Sequence, residues 1–244
     1  MSEAYRVLCD RSDEGLWKTM RLQGIGASEA ACLWGRGFID EEELLKRKVF
    51  PYVDDVPPIA HIGAAFEGGI LELADRWHGL RATQWQSLCQ STRWPSMTCT
   101  PDASMSDGTL VEVKCVFSRD AWAEGPPQKY IIQVQHQLAV TGEEWGLLVG
   151  FAWWKMRFCT QQCESPRWMG DVFWPVQRND EFIRQHAERC EEFWARVEKM
   201  RQKYGDSNVQ ESNEDTESHS VRDSGAVGGG QDVDRPEDSA GLSG

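Results

Sequence analysis

The chain has 244 residues, 40% of them hydrophobic, and a formal net charge of −13 at pH 7. This length is sufficient for one sizeable domain with a hydrophobic core. The acidic balance excludes the strongly basic profile of many nucleic-acid-binding domains, so any contact with DNA has to come from a local patch.

Neither the cysteines nor the hydropathy pattern indicates a structural metal site or a membrane protein. None of the eight cysteines forms a C-x-x-C pair, and no Cys/His cluster flanks the close pair Cys159 and Cys163. Buried free thiols are therefore favoured over a zinc or iron–sulfur site. No signal peptide is recognisable, and no apolar run approaches the ~18 residues that span a membrane. We expect a soluble cytoplasmic protein with reduced thiols and no membrane partner.

The first predicted elements are two helices separated by glycines. Residues Asp13 to Arg21 carry apolar positions on one helical face, and Gly24 and Gly26 then interrupt the helix. Ser28 can cap a second helix, whose first backbone N–H groups would form an anion site next to Arg21. On spacing alone, an ordinary N-cap is the favoured interpretation of Ser28.

A long helix is predicted from Ile62 to Gly79, and short strand-like segments follow between Leu80 and Ser91. Glu67 lies in the first turns of this helix, beside the small residues Ala64 and Gly68. A glutamate near a helix start is usually a solvated residue. Glu67 is therefore of interest only if its side chain faces an acidic site elsewhere in the fold.

The most informative stretch runs from Thr100 to Lys114. The segments 97–103 and 109–116 flank Asp107-Gly108, and Asp-Gly is a strong signal for a short turn. We predict that these two segments pair as a hairpin.

Three charged side chains would converge in this hairpin. Glu112 and Lys114 are two positions apart in a strand and therefore project from one face, and the pairing brings Asp102 beside them. One or two carboxylates suffice to hold Mg²⁺, and the Val113 carbonyl is a natural third ligand. Lys114 would orient or help to deprotonate a water that attacks a phosphodiester. On these three residues alone, an exposed Glu112–Lys114 ion pair is the favoured alternative.

The following helix, predicted over residues 129–141, carries several polar side chains. Gln133 and Gln137 share one face at i, i+4, whereas Gln135 and His136 point elsewhere. Not all of these groups can therefore serve one site.

The C-terminal part is predicted to contain an apolar strand over 145–154, one or two further strands before residue 176, and an amphipathic helix over 178–204. Residues 205–244 include ten acidic residues, two arginines and almost no large apolar residue, which predicts a disordered acidic tail. The order of elements favours an α/β domain over residues 1–204, in which helices pack on a mixed sheet.

Taken together, the motifs resemble the phage lambda exonuclease and YqaJ-type viral recombinase nuclease family, which carries the PD-(D/E)xK signature. The matching residues are Trp17-Lys18, Arg21-Leu22, Ile25 to Glu29, Gly63, Glu67, Cys99 to Asp102, Leu110 to Cys115, Tyr130, Gln133 to Gln135 and Val140-Thr141. Several motifs in the right order are more specific than any one of them. The resemblance implies a restriction-endonuclease-like core, with a mixed central β-sheet flanked by helices, and cleavage of DNA that depends on Mg²⁺, with Mn²⁺ as a substitute.

The resemblance also implies roles for individual residues. Asp102, Glu112 and Glu67 match the residues of the metal site, and Lys114 matches the catalytic lysine. Arg21 and Ser28 match positions that hold a terminal 5′-phosphate, so Ser28 would cap a helix and bind phosphate together. Two further matches, to a glutamine pair beside the site, are Gln133 and Gln135.

The expected activity is exonucleolytic digestion of duplex DNA from its ends, 5′→3′, in phage-type recombination. Some members of the family form ring-shaped trimers or work with a single-strand annealing protein, but neither property follows from the residues above. Three alternatives stay open: an endonuclease of the same fold, a cleavage-deficient scaffold that binds DNA ends, and an interaction protein that acts through the acidic tail.

Overall fold

The computed structural model describes residues 3–50, 58–116, 122, 125–152, 157–158 and 173–218. The chain divides into two compact units, residues 1–201 and residues 202–244. The strands are β1 (Tyr5–Asp10), β2 (Ile25–Gly26), β3 (Ala82–Gln84), β4 (Ser87–Ser91), β5 (Met97–Cys99), β6 (Ala103–Met105), β7 (Leu110–Val116), β8 (Trp145–Ala152), β9 (Arg157–Phe158) and β10 (Trp174–Gln177). The helices are α1 (Glu14–Arg21), a 3₁₀ segment (Ala30–Trp34), α2 (Glu41–Val49), α3 (Pro58–His78), α4 (Gln128–Thr141) and α5 (Asp180–Ser218).

The smaller sheet has four strands in the order β1-β4-β5-β2. β2 runs parallel to β5, with Ile25 opposite Met97 and Gly26 opposite Thr98. Parallel strands end at the same edge of a sheet. The chain after β2, which leads to Ser28, and the chain after β5, which leads to Asp102, therefore leave this sheet at the same edge.

The larger sheet has six strands, in the order β10-β8-β7-β6-β3 with β9 paired to β8. β7 and β8 are parallel, and Glu112 lies opposite Leu148. The other pairs are antiparallel. β8 is buried along most of its length, as its apolar sequence predicts for a strand covered on both faces. Residues 153–154, the end of the predicted strand, lie outside the described residues.

The predicted hairpin is present only in part. β6 pairs with β7 through Ala103 opposite Val111 and Ser104 opposite Leu110. The segment 97–99 belongs instead to the smaller sheet, where it pairs with β4 and β2. The prediction that 97–103 forms a single strand is therefore wrong, because Pro101 has no N–H to donate and the chain changes sheet between Cys99 and Ala103.

Helices α3 and α4 cover the sheets. α3 contacts β3 and β7, and α4 contacts β4, β5, β7, β8 and β10. Among the described residues, the largest fully buried side chains are Ile25, Leu44, Leu88, Met97, Leu110, His136, Leu138, Leu147, Leu148, Phe151, Ile183 and Phe193. The α/β class is confirmed, although the strands form two mixed sheets where one was expected.

Helix α5 extends further than predicted, to Ser218. Residues 205–218 are therefore helical, although the sequence predicted disorder from residue 205. This segment contains no proline after the strongly helical 180–204, and adding one residue to an existing helix costs far less than starting a new one. Residues 219–244 lie outside the described residues, so disorder there stays a prediction.

The described cysteines agree with the expectation of buried free thiols. The six described cysteines are free thiols, five of them buried and Cys115 half-buried; Cys159 and Cys163 lie outside the described residues. In the described part of the chain, no helix has the length and apolarity required to cross a bilayer.

Candidate active site

Strand β7 presents Glu112 and Lys114 from one face, as predicted. Lys114 Nζ lies 2.5 Å from Glu112 Oε1. The Glu112 side chain is 3% exposed and that of Lys114 is 21% exposed, so the solvated ion pair considered as an alternative is excluded. Burial alone would lower the pKa of Lys114, but Glu112 and Asp102 outweigh burial and raise this pKa above its usual range. The ammonium is therefore held in its charged form.

Asp102 lies directly before β6 and belongs to the same cluster. The β6–β7 register, continued by one position, sets Asp102 opposite Glu112. Its Oδ2 accepts a hydrogen bond of 2.7 Å from the Val113 N–H, and the residue is 8% exposed. Burial, Glu112 and Glu67 raise the pKa of Asp102 well above its usual range, and Lys114 opposes them only in part. Two carboxylates therefore lie close together in a poorly solvated place.

Two glutamines of α4 also donate hydrogen bonds to the Glu112 carboxylate. Gln133 Nε2 donates to Glu112 Oε1 at 2.5 Å, and Gln137 Nε2 donates to Oε2 at 2.6 Å. Gln135 lies elsewhere: its amide bonds the Gln177 carbonyl at 2.6 Å and the Asn179 N–H at 2.9 Å. The site role predicted for Gln135 is therefore wrong, because one helical face presents residues four positions apart and not two.

Glu67 of α3 reaches the cluster and carries a partner that the sequence did not indicate. Its Oε2 lies 3.1 Å from Arg11 Nη2, a residue just after β1. Burial raises the pKa of Glu67, with a smaller contribution from Glu112, while Arg11 and Lys114 oppose it. Arg11 and Glu67 line an open cavity of about 240 Å³, together with Ser12, Ala64, Gly68, Gln84 and Gln86.

Arg21 and Ser28 face solvent side by side, with Arg21 Nη2 3.4 Å from Ser28 Oγ. The Arg21 guanidinium lies 4.6 Å from the ring centroid of Trp17. Trp17 in turn donates from Nε1 to Thr100 Oγ1 at 3.3 Å, two residues before Asp102. The Trp17 indole therefore connects Arg21, and with it Ser28, to the segment of chain that leads to Asp102.

The predicted capping role of Ser28 is wrong. The residue at the N-cap of the 3₁₀ segment is Glu29, which makes no side-chain capping hydrogen bond. The segment has five residues and ends at Gly35, whose φ of 63° is left-handed. Ser28 lies one residue too early to cap it, and its hydroxyl is exposed beside Arg21.

A second polar cluster, formed by His136, His186 and Cys190, lies inside the fold, with its ligand atoms within 4.8 Å of one another. Trp34 Nε1–H donates to His186 Nδ1 at 3.0 Å. The neutral His186 ring then carries its proton on Nε2, 2.9 Å from His136 Nδ1, and His136 Nε2 donates to the Thr98 carbonyl at 3.1 Å. A metal at His186 Nε2 would require a proton on Nδ1, facing the indole N–H. The cluster is therefore a neutral hydrogen-bonded network.

Comparison with known families gives the assignment. The family model of the YqaJ-like viral recombinase domain matches residues 16–144, more than half of the chain. The chain belongs to the YqaJ-like viral recombinase family. No relative is found among curated protein sequences.

Solved structures show the same fold as this YqaJ-like chain. The alkaline exonuclease LHK-Exo from Laribacter hongkongensis is 17% identical, with a TM-score of 0.63, over 80% of this chain and 97% of that one. Its complex with dAMP gives 19% identity and a TM-score of 0.64 over the same shares. A phage-related exonuclease from Haemophilus somnus gives 14% identity and a TM-score of 0.51, over 80% of this chain and 99% of that one.

The donor set of this YqaJ-like domain fits a hard divalent cation. Three carboxylates, Asp102, Glu112 and Glu67, face two cations, Lys114 and Arg11. Burial and the surplus negative charge together raise the pKa of Asp102, and a bound cation would offset that charge. All the side-chain donors are oxygens, which Mg²⁺ and Mn²⁺ prefer. The Val113 carbonyl stays a predicted ligand.

The site of the YqaJ-like domain includes two residues that the sequence did not assign to it. Gln137 was detectable, since its i, i+4 spacing from Gln133 is visible in the sequence. Arg11 was not, because it follows a short strand that the sequence did not reveal and contacts Glu67 across 56 positions.

Proposed function

We propose that this protein is a Mg²⁺-dependent deoxyribonuclease that digests duplex DNA from its ends, 5′→3′. The observation that carries the proposal is the buried pair of carboxylates, Asp102 and Glu112, with Lys114 bonded to one of them. Membership of the YqaJ-like family and the fold shared with structures named as exonucleases support it.

In this proposal Asp102, Glu112, Glu67 and the Val113 carbonyl would hold Mg²⁺, or Mn²⁺ in its place. The ion would supply charge neutralisation at the phosphodiester and a more acidic water. Lys114, kept protonated by its two carboxylate neighbours, donates a hydrogen bond to the attacking water or to a phosphate oxygen. Orientation and charge neutralisation are therefore favoured for Lys114 over the role of a base.

Gln133 and Gln137 fix the carboxylate plane of Glu112 in the proposed reaction. A carboxylate has about four lone-pair positions, and Lys114, Gln133 and Gln137 use three of those on Glu112. One position is left for a metal ligand bond. The helix α4 thereby orients the ligand before any substrate binds.

Arg21 and Ser28 are proposed to bind the 5′-phosphate of the DNA end. A half-buried guanidinium beside an exposed hydroxyl forms a natural donor pair for phosphate oxygens. Trp17 links this pair to the chain that carries Asp102. An end bound there would place a nearby phosphodiester at the carboxylates.

The test uses linear duplexes labelled at one end, with 5′-phosphate or 5′-hydroxyl termini, with and without Mg²⁺. We expect nucleotide release that requires Mg²⁺ and is faster on 5′-phosphate ends. K114A should lower kcat by at least about 10²-fold, whereas K46A, an exposed lysine of α2, should leave it unchanged.

Each alternative predicts a different experimental outcome. Unchanged activity in K114A would contradict the assigned site. Cleavage of circular duplex at the same rate as linear duplex would identify an endonuclease. Tight binding of DNA ends without metal binding in calorimetry would identify a scaffold.

The family resemblance is the basis of four further proposals. These are a role in recombination, a single-strand annealing partner, a ring trimer, and a location inside the host cell of a virus. Sedimentation of the purified chain with duplex DNA tests the trimer. A deletion of residues 205–244 that leaves digestion intact would assign the acidic tail an accessory role.

A further inference from the structure

An ion pair lies directly behind the Arg21–Ser28 pair. Lys48 Nζ of α2 is 2.8 Å from Glu29 Oε2, with side chains 2% and 24% exposed. Burial alone would raise the pKa of Glu29, but Lys48 and Arg21 outweigh burial and lower it. A lysine this deeply buried is rare unless it is paired.

The Glu29 carboxylate also holds the turn after β2. Its Oε2 accepts a hydrogen bond of 2.7 Å from the Gly26 N–H. A Cβ added at Gly26 would lie 3.3 Å from Glu29 Oε2 and 3.4 Å from Arg21 Nη2. The turn that presents Ser28 therefore packs closely against both side chains, and its backbone is fixed by Glu29.

The same ammonium holds the end of α1. Lys48 Nζ donates to the Arg21 carbonyl at 3.1 Å, and Arg201 Nη2 donates to the Leu22 carbonyl at 2.7 Å. The last carbonyls of a helix lack partners within the helix. Here two cations, Lys48 of α2 and Arg201 of α5, donate hydrogen bonds to these carbonyls. Lys48 is thus bonded to the backbone of Arg21 and, through Glu29, to the backbone of the Ser28 turn.

The charge of Lys48 has a second consequence. Without it, the Glu29 carboxylate would stand unneutralised beside the Arg21 guanidinium and would compete with a phosphate for that guanidinium. With Lys48 in place, Glu29 is already compensated. Arg21 then keeps its charge for a ligand from solvent.

We infer that Glu29 and Lys48 are positioning residues that set the Arg21–Ser28 pair for a terminal phosphate, through the hydrogen bonds of Lys48 to Glu29 and to the Arg21 carbonyl. This inference rests on the proposed function. In this inference neither residue is assigned a contact with DNA. Their effect is confined to the preference between ends, so it separates from the chemistry at Asp102 and Glu112.

The experiment measures initial rates of digestion of 5′-phosphate and 5′-hydroxyl duplexes and takes their ratio. In K48M this ratio should fall by about 10- to 100-fold, while the rate on 5′-hydroxyl ends stays within about twofold of wild type. K46M removes an exposed lysine from the same helix and should keep the wild-type ratio. Thermal unfolding of each variant monitors its fold.

The double variant E29Q/K48M leaves no unpaired charge and is the second variant where K48M unfolds. Where K48M folds, the rate ratio of the double variant should lie above that of K48M, because Arg21 no longer faces a bare carboxylate. It should stay below that of wild type, because the Arg21 carbonyl has lost its donor.

Two results overturn the inference in distinguishable ways. If wild type prefers 5′-phosphate ends and both variants keep that preference, or lose both rates equally, the positioning role fails and the proposed function stands. If wild type does not distinguish the ends, the proposed phosphate site fails, and the inference fails with it. The assignment of the chemistry still rests on K114A.

Discussion

Gln137 Nε2 donates to Glu112 Oε2 at 2.6 Å, so a side chain of α4 directly orients a carboxylate of β7. Q137L keeps the shape of the side chain and removes this donor. A hydrogen bond to a charged group contributes about 1.5–3 kcal/mol, so kcat should fall by about 10- to 100-fold. Single-turnover digestion of a linear duplex measures the effect.

The matched control is Gln135, whose amide bonds Gln177 and Asn179. Q135L should lower the free energy of unfolding by about 1–3 kcal/mol and change kcat little. A larger loss of kcat in Q135L than in Q137L would restore the role that the family resemblance implied for Gln135.

Arg11 forms an ion pair with Glu67, at 3.1 Å, and would compete with a cation for that carboxylate. R11M should therefore bind Mg²⁺ more tightly, by up to about fivefold, since a partly exposed ion pair is worth at most about 1 kcal/mol. Isothermal calorimetry of R11M and wild type checks this. E67Q should change affinity in the opposite direction, and equal affinities in all three proteins would remove Glu67 from the ligand set.

Gly146 of β8 allows α4 to approach the larger sheet. A Cβ at this position would lie 2.3 Å from Val134 Cγ1, so G146A should lower the free energy of unfolding by about 1–3 kcal/mol. Adding V134A should recover part of the loss, because it removes the clashing methyl group. The exposed Gly15 of α1 has only one atom within 4 Å of its added Cβ, at 3.9 Å, and G15A should leave stability unchanged or raise it. Urea denaturation distinguishes these outcomes.

His136 gives the fold a defined sensitivity to acid. Burial lowers the pKa of His136 to about 4, below the value of about 6.5 in an unfolded chain. The unfolded state therefore binds a proton first, and stability is lost as the pH falls from about 6.5 towards 4, by up to about 3 kcal/mol.

Asp102 titrates with the opposite sign, because its raised pKa favours the folded state at low pH. The measurement is therefore best made in D102N, by urea denaturation between pH 7 and pH 4. D102N/H136Q should show a pH slope that is shallower by about one proton. Identical slopes would show that His136 is already protonated in the folded protein.

The sequence predicted which residues form the carboxylate cluster better than it predicted the strands that bring those residues together. Glu112 and Lys114 followed from the two-residue period of a strand, and that period survives any tertiary context. Asp102 was placed correctly by its register with β7, but its strand neighbours were not, since Pro101 marks a break in a strand without showing that the chain changes sheet there. The same is true of Arg11 and of the Glu29–Lys48 pair, whose partners lie far apart in sequence and are set by packing alone.

In the proposed function, the parallel pairing of β2 with β5 would fix the separation between a bound DNA end and the site of cleavage. The turn that carries Ser28 and the turn that carries Asp102 leave neighbouring strands at one edge, and neighbouring strands lie about 4.8 Å apart. The distance from such an end to the cleaved bond would then be set by backbone hydrogen bonds and not by flexible side chains. Substitutions at Arg21 or Ser28 would change how often an end is captured, while the length of the released fragment would stay the same.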